Sequence, residues 1–223
     1  MSNEFDSALC PEGNFLAVTD PLSALQKLAS SHRNSFKIPL IAITGSNGKT
    51  IVKEWLFQLL HSDFNIARSP RSYNSQVGVP LSLWQIKPKH EMAVIECGIS
   101  KKGEMSKLAE IVSPTIGIFT NIGEAHQENF SSHAEKAAEK AELFQNCDVV
   151  ISCYDHQNVQ DALNGLRIKK NLTWGSKGAD LEITKLNRSK EKTEFEGNFE
   201  GHKYSIAIPF IDEASIENAC HCW

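Results

Sequence analysis

Apolar and polar positions along this chain follow two periods. Up to about residue 166, short continuous apolar runs alternate with longer segments whose apolar residues recur every three to four positions. The runs 40–43, 65–68, 92–96, 115–121 and 148–153 read as buried strands, and 14–18 as a further short one. The longer segments read as amphipathic helices. Asp20-Pro21 opens the first, with Asp as N-cap, Pro at the first helical position and Leu22, Leu25, Leu28 and Ala29 as its apolar face. After a polar joint at 34–37 and the first buried strand, Val52, Trp55, Leu56, Leu59 and Leu60 line one face of the next helix. Segments 77–86, 104–112, 132–146 and 157–166 complete the helical set. Strand and helix in alternation predict an α/β fold, a mainly parallel sheet with helices on both faces.

After residue 171 the helical period disappears. The runs 172–174, 181–186, 193–199 and 204–208 are short and alternating, which predicts a small antiparallel β-meander near the C-terminus. Its charges, among them Lys185, Arg188, Lys190, Glu191, Lys192 and Glu194, are mixed in sign, as on a solvated hairpin. A last helix begins near Ala214 and runs to Trp223 without a Gly, Pro or basic stop signal, the expectation for a piece of a longer protein.

Composition adds boundaries. The chain has 223 residues, 41% hydrophobic and 22% charged, an ordinary globular mix rather than a disordered or fibrous one. Lysine and arginine total 23 against 27 acidic residues, so no charge excess points to nucleic acid or an anionic membrane. No apolar run approaches membrane-spanning length, and residues 1–20 lack the basic start and apolar stretch of a secretory signal. The six cysteines (10, 97, 147, 153, 220 and 222) include no Cys-x-x-Cys pair, and Cys220-x-Cys222 is too tight for usual zinc spacing. Reduced, mostly buried thiols in a cytoplasmic protein are expected.

The strongest chemical signal lies between the first buried strand and its helix: Thr44-Gly45-Ser46-Asn47-Gly48-Lys49-Thr50. Glycines let backbone amides approach a phosphate, and the helix N-terminus adds unpaired N–H groups and a positive dipole end. Lys49 would reach the β- and γ-phosphates, and the Thr50 hydroxyl would coordinate Mg²⁺. The full Walker pattern needs Gly at position 43, where this chain has Ile43, so the loop is a shortened P-loop variant. Such turns also occur without ligands.

Ligands of open parallel sheets bind beyond the carboxyl ends of the strands. Glu96 ends the Ala93-Val94-Ile95 run and either holds Mg²⁺ opposite Thr50 or is an ordinary strand-end carboxylate. His126 follows the 115–121 run by a short loop, as a ligand or a structural histidine. Lys140 shares a helix face with Ala137, Ala141 and Phe144. It either snorkels to solvent or is desolvated, with a lowered pKa and open to chemical modification.

Together these segments resemble the Mur ligases, ATP-dependent amide-forming enzymes of peptidoglycan precursor synthesis. The most similar branch joins D-alanyl-D-alanine to UDP-N-acetylmuramoyl-tripeptide. The likeness rests on residues 44–50, on Asn74-Ser75-Gln76-Val77-Gly78-Val79-Pro80, and on Val94-Ile95-Glu96-Cys97-Gly98 followed by Gly103-Glu104-Met105. It continues through Asn121-Ile122-Gly123-Glu124-Ala125-His126, Lys140-Ala141-Glu142-Leu143-Phe144, and Trp174-Gly175 with Ala179-Asp180. The resemblance implies that Gly45, Ser46, Asn47, Gly48, Lys49 and Thr50 bind the ATP phosphates, and that Thr50 and Glu96 hold one Mg²⁺. It implies that His126 serves a second metal site, and that Lys140 carries a carbamate helping to position magnesium and the γ-phosphate. Asn218 would read adenine and Asn74 would contact substrate or metal. It further implies that 1–37 is the tail of an N-terminal uridine-substrate domain and its linker, that 38–223 is the central ATP-binding domain, and that a C-terminal domain is absent.

The chain departs from the family's Gly-x-His-Asn-x-x-Asn: Asp212, Ala214 and Ser215 replace Gly, His and the first Asn, and only Asn218 remains. The resemblance associates this variant with ligases fused to an alanine racemase, although nothing in the chain shows racemase chemistry. The leading expectation is the ATP-binding domain of the D-alanyl-D-alanine-adding ligase. The alternatives are a folylpolyglutamate-synthase-like ligase and a non-catalytic nucleotide-binding module.

Overall fold

The computed structural model describes residues 17–124 and 129–223. One nine-stranded sheet in the order β2-β3-β1-β4-β5-β6-β7-β8-β9 organises them. The strands are β1 (Leu40–Thr44), β2 (Ile66–Arg68), β3 (Met92–Glu96), β4 (Ile116–Phe119), β5 (Val149–Cys153), β6 (Lys170–Gly175), β7 (Leu181–Arg188), β8 (Thr193–Phe199) and β9 (His202–Ile208). The helices are α1 (Pro21–Asn34), α2 (Lys49–Leu60), α3 (Gly78–Leu83), α4 (Met105–Val112), α5 (His133–Ala141, continued by a 3₁₀ turn over Glu142–Phe144), α6 (Gln157–Asn164) and α7 (Glu213–Cys222).

β1 is buried along its whole length because helices cover both faces of the sheet. Its alternate residues feed two cores. Leu40 and Ala42 join Ala93, Ile95 and Phe119 beneath α1, α3, α4, α5 and α6. Ile41 and Ile43 join Val94 and Ile118 beneath Val52 and Leu56 of α2. A third cluster, centred on Trp174 and the fully buried Phe195, seats α7 through Ile216 and Cys220.

Asp20 caps α1 as expected, its carboxylate accepting from Ser23 N at 3.1 Å. The expected apolar face of α1 is only partly inward. Ala29 is buried, but Leu22 and Leu28 are 39% and 52% exposed. Arg33 occupies the inner face instead, donating to the carbonyls of Val112, Phe36, Ile38 and Ser113 and so tying α1 to the end of α4. On α2, Val52 and Leu56 are buried, whereas Leu59 is 59% exposed and Trp55 stacks on Phe210 beyond β9. Of the strand expected at 14–18, residues 14–16 lie outside the described residues, and Ala17 and Val18 are exposed and not in a strand. Cys97, Cys147, Cys153 and Cys220 are buried and Cys222 half-buried, while Cys10 lies outside the described residues.

The expected meander is smaller than its sequence pattern. The run around Leu172–Trp174 is β6, which pairs in parallel with β5 and prolongs the βαβ series through α6. Only β7, β8 and β9 are antiparallel, and they extend the same sheet. Among the described residues no helix is long and apolar enough to cross a membrane.

Candidate functional site

β1 lies between β3 and β4; the chain leaves β1 through α2 toward β2 on one side of the sheet, whereas it leaves β4 toward β5 on the other. That reversal opens a crevice at the carboxyl ends of these strands. The segment 45–48 enters it from β1 and leads directly into α2. Gly45 and Gly48 have φ of 142° and 83°, a region that L side chains rarely adopt. Both are also tightly faced: a Cβ at Gly45 would meet Thr120 Oγ1 at 1.9 Å, and one at Gly48 would meet Asn218 Oδ1 at 2.2 Å. The loop is thereby pressed onto the β4 end and α7.

Asn121 secures the loop from the β4 side. Its carbonyl accepts from Ser46 N at 2.7 Å and its side-chain oxygen from Asn47 N at 3.1 Å. Two of the amides expected to face phosphate are thus engaged by the protein. The α2 N-terminus, with amides that no preceding turn can satisfy, remains the anion-facing element. Lys49 folds back on the loop, its Nζ donating to Gly45 O at 2.7 Å and Ser46 O at 3.1 Å. Burial lowers its pKa, the Glu96 carboxylate acts the other way, and the Lys136 charge lowers it further.

Opposite the loop, Glu96 is fully buried. Its Oε2 accepts from the Thr50 hydroxyl at 3.0 Å and lies 3.4 Å from Asn74 Nδ2. Its Oε1 is 2.9 Å from Lys53 Nζ. Glu96 is thus an internal, ion-paired carboxylate that accepts from the first turn of α2. A hydroxyl and a carboxylate are hard oxygen donors of the type Mg²⁺ selects, so the pair fits that ion.

Lys140 is 3% exposed, so it does not snorkel. Its Nζ donates to Gly45 O at 3.2 Å, the carbonyl that Lys49 also uses. Burial first, then the charges of Lys49 and Lys136, hold its pKa at about 7 instead of near 10.5. Half or more of the amine is neutral at and above that pH, the form that can react with CO₂. A cavity of about 110 Å³ opens among Gly45, Lys49, Asn74, Gly98 and Lys140. A larger, mainly apolar cavity of about 350 Å³ runs along β4–β6 beside Trp174 and Trp223, with no lysine or arginine in its lining.

The site therefore joins Gly45, Ser46, Asn47, Gly48, Lys49, Thr50, Asn74, Glu96 and Lys140. Asn218 is buried against Gly48 from α7. His126 lies outside the described residues. Two lysines of the site carry no expectation from the sequence. Lys53, fully buried, stands one turn after Lys49 on α2, and Lys136, 1% exposed, one turn before Lys140 on α5. Spacing by four was the available signal, since it puts each on the face of a lysine already suspected. Lys136 Nζ donates to Gly123 O, which also accepts from Ser46 Oγ at 3.3 Å.

Residues 43–223 match the family model described as the Mur ligase middle domain. The chain belongs to that family. Its Mur ligase relatives include the UDP-N-acetylmuramoyl-tripeptide–D-alanyl-D-alanine ligase of Rickettsia prowazekii, 34% identical over 212 residues that cover 91% of this chain and 47% of that protein. A MurF crystal structure from Acinetobacter baumannii is 25% identical with a TM-score of 0.83, over 93% of this chain and 46% of that one. The MurF ligase of Thermotoga maritima in complex with ADP shows the same fold, with a TM-score of 0.83 at 23% identity, over 93% of this chain and 49% of that one. A folylpolyglutamate synthase of L. casei is more distant, at 13% identity and a TM-score of 0.71, covering 96% of this chain and 64% of that one. The chain spans less than half the length of the curated Mur ligase relatives that it matches.

Proposed function

We propose that the chain is the ATP-binding part of a ligase joining D-alanyl-D-alanine to UDP-N-acetylmuramoyl-tripeptide. The observation that carries this is the convergence of the half-buried Lys49 and the buried Lys140 on the Gly45 carbonyl of the loop 45–48, opposite the buried Glu96. Buried like charges are costly unless an anion joins them, and a nucleotide polyphosphate supplies that anion. The MurF relatives narrow the reaction to the D-alanyl-D-alanine-adding branch, and the greater distance of folylpolyglutamate synthase weighs against that alternative. The neutral amine of Lys140 favours an enzyme over a non-catalytic nucleotide module.

In this reading the tripeptide carboxylate takes the terminal phosphoryl group of ATP. The dipeptide amine then displaces phosphate, leaving an amide, ADP and phosphate. Lys49 neutralises charge on the transferring group, and the α2 N-terminus orients the phosphates. Thr50 and Glu96 would hold Mg²⁺, which when bound shields the phosphate charge, and His126 would belong to a second metal site. Lys140 would act as a carbamate, an anion made tolerable by the cations around it. Asn218 would contact adenine from behind Gly48, and Asn74 would contact substrate at the mouth of the cavity. Residues 1–37 would be the tail of a uridine-substrate domain, 38–223 the central domain, and the missing N- and C-terminal domains would complete the sites. The reaction would run in the cytoplasm.

The test is ADP release by the full-length protein, dependent on both the tripeptide nucleotide and D-alanyl-D-alanine. Lys49→Ala is expected to lower turnover by at least about 10²-fold, the loss typical of one preorganised charge contact in a dry site. Turnover within threefold of the parent would make Lys49 structural. Absence of dipeptide-dependent ADP release, with folate-dependent release in its place, would favour the alternative ligase.

A further inference from the structure

Lys53 is the most completely enclosed cation of the site. Its side chain has no exposed surface. The Nζ donates to Ser69 O at 2.9 Å and to Arg71 O, and lies 2.9 Å from Glu96 Oε1 and 3.1 Å from Glu54 Oε1. The two carbonyls take hydrogen bonds from the ammonium, and the two carboxylates supply ion pairing. Ser69 also receives the Glu96 amide on its hydroxyl at 3.1 Å, so one short segment holds both ends of the ion pair.

The consequence for Glu96 is specific. One carboxylate oxygen lies against the Lys53 ammonium, which Glu54 shares, and the other accepts a hydrogen bond from the Thr50 hydroxyl. A divalent ion arriving alone meets a partly compensated carboxylate, a hydroxyl turned to donate, and the charges of Lys53 and Lys49 nearby. In a poorly hydrated site these like charges repel a cation strongly. A polyphosphate on the loop reverses the balance, because it brings several negative charges and further oxygen ligands.

We propose that Lys53 is a positioning residue that makes divalent-metal binding at Thr50 and Glu96 conditional on bound nucleotide. The inference rests on the reading of Glu96 as a metal ligand. It assigns Lys53 two tasks: fixing Glu96 so that Oε2 faces Thr50, and cancelling enough of its charge that the free ion does not bind there first. The ion then enters as its nucleotide complex.

The test is Mn²⁺ titration of the full-length protein, read by electron paramagnetic resonance of the free ion, with and without ADP. The parent is expected to bind Mn²⁺ at least about 30-fold more tightly with ADP than without. Lys53→Gln keeps a donor for the Ser69 and Arg71 carbonyls but removes the charge. Its ADP-free Mn²⁺ affinity is expected to rise at least about tenfold, a gain that loss of a purely structural contact does not produce. The gain is expected to vanish in Lys53→Gln/Glu96→Gln. A folded Lys53→Gln protein with unchanged or weaker ADP-free binding overturns the proposal, as does a gain that survives the second substitution. Lys53→Met serves if the glutamine variant does not fold, and the parent arm needs no variant: equal Mn²⁺ affinity with and without ADP also overturns it. Should Glu96→Gln alone leave Mn²⁺–ADP binding unchanged, Glu96 is not a ligand, and the reading beneath the proposal fails with it.

Discussion

Replacing Lys140 with methionine removes a buried charge while keeping the side chain's length and most of its volume. The Lys140 pKa of about 7, against 10.5 for an ordinary lysine, means that folding disfavours its protonated form. At about 1.4 kcal/mol per tenfold change, the full penalty is roughly 5 kcal/mol. Methionine forfeits the hydrogen bond to Gly45 O, worth about 2 kcal/mol when the donor is charged. The net expectation is a gain of about 3 kcal/mol wherever the lysine is fully protonated. The sign follows from proton uptake. The unfolded chain binds the extra proton between pH 7 and 10.5, so the penalty is complete below pH 7, shrinks as pH rises, and is gone near 10.5. Lys140→Met is therefore expected to raise the unfolding midpoint at pH 6 by about 5–10 °C, with the advantage lost by pH 10. The assay is thermal unfolding of nucleotide-free protein in CO₂-free buffer, which keeps the amine unmodified. A destabilised variant at pH 6, or a gain that does not vary with pH, would refute a desolvated Lys140.

Lys140→Ala in the full-length ligase is expected to be nearly inactive, with part of the rate restored by added short carboxylic acids. Full activity eliminates the role, and a folded, ATP-binding but unrescued variant removes support for the carbamate. Gly48→Ala places a Cβ at a φ of 83° and 2.2 Å from Asn218 Oδ1. It is expected to cost about 1–3 kcal/mol in chemical denaturation and to weaken ADP binding in calorimetry, and unchanged values would show that the loop relaxes freely. The neighbouring Cys153 and the Glu217 carboxylate, 2.9 Å from Nε2, raise His156 from 6.5 to about 10. The stability from His156 is fully present below pH 6.5 and fades as pH rises through 10, so His156→Ala is expected to cost about 2 kcal/mol at pH 6 and little above pH 10. A cost independent of pH in urea unfolding contradicts the pairing.

The parallel half of the fold was legible because its signals are local. Asp20-Pro21 caps a helix on chemistry confined to four residues, and residues 44–50 advertise a strand, a tight turn and a helix start within seven. Strand β6 was misjudged because a short alternating run reads the same in either pairing sense. Its direction is set by α6, which returns the chain to the same end of the sheet. Leu22 and Leu28 fit a helical stripe, but Arg33 took the inner face, an outcome decided by the Val112 and Ser113 carbonyls on a distant segment. Lys53 and Lys136 escaped notice for a related reason. A lysine reads as solvent-facing until the fold supplies carbonyls and a carboxylate to enclose it. At Lys140 the sequence left two outcomes open, and burial decided between them.

The join between β6 and β7 has a consequence for motion. The two strands meet only where Trp174 faces Leu181 and Gly175 faces Glu182, whereas β7, β8 and β9 pair along their lengths. A narrow seam between well-laddered halves is where a sheet parts first, so β7–β9 should open as one cooperative unit at a free energy below global unfolding. That unit is not isolated from the phosphate loop. Phe195 of β8 packs with Ile216 and Cys220 of α7, and α7 brings Asn218 against Gly48 and Glu217 to Asn121. Parting the seam loosens α7, and loosening α7 frees the loop. Nucleotide held on residues 45–49 should therefore slow amide hydrogen exchange in β7–β9, strands that no phosphate touches.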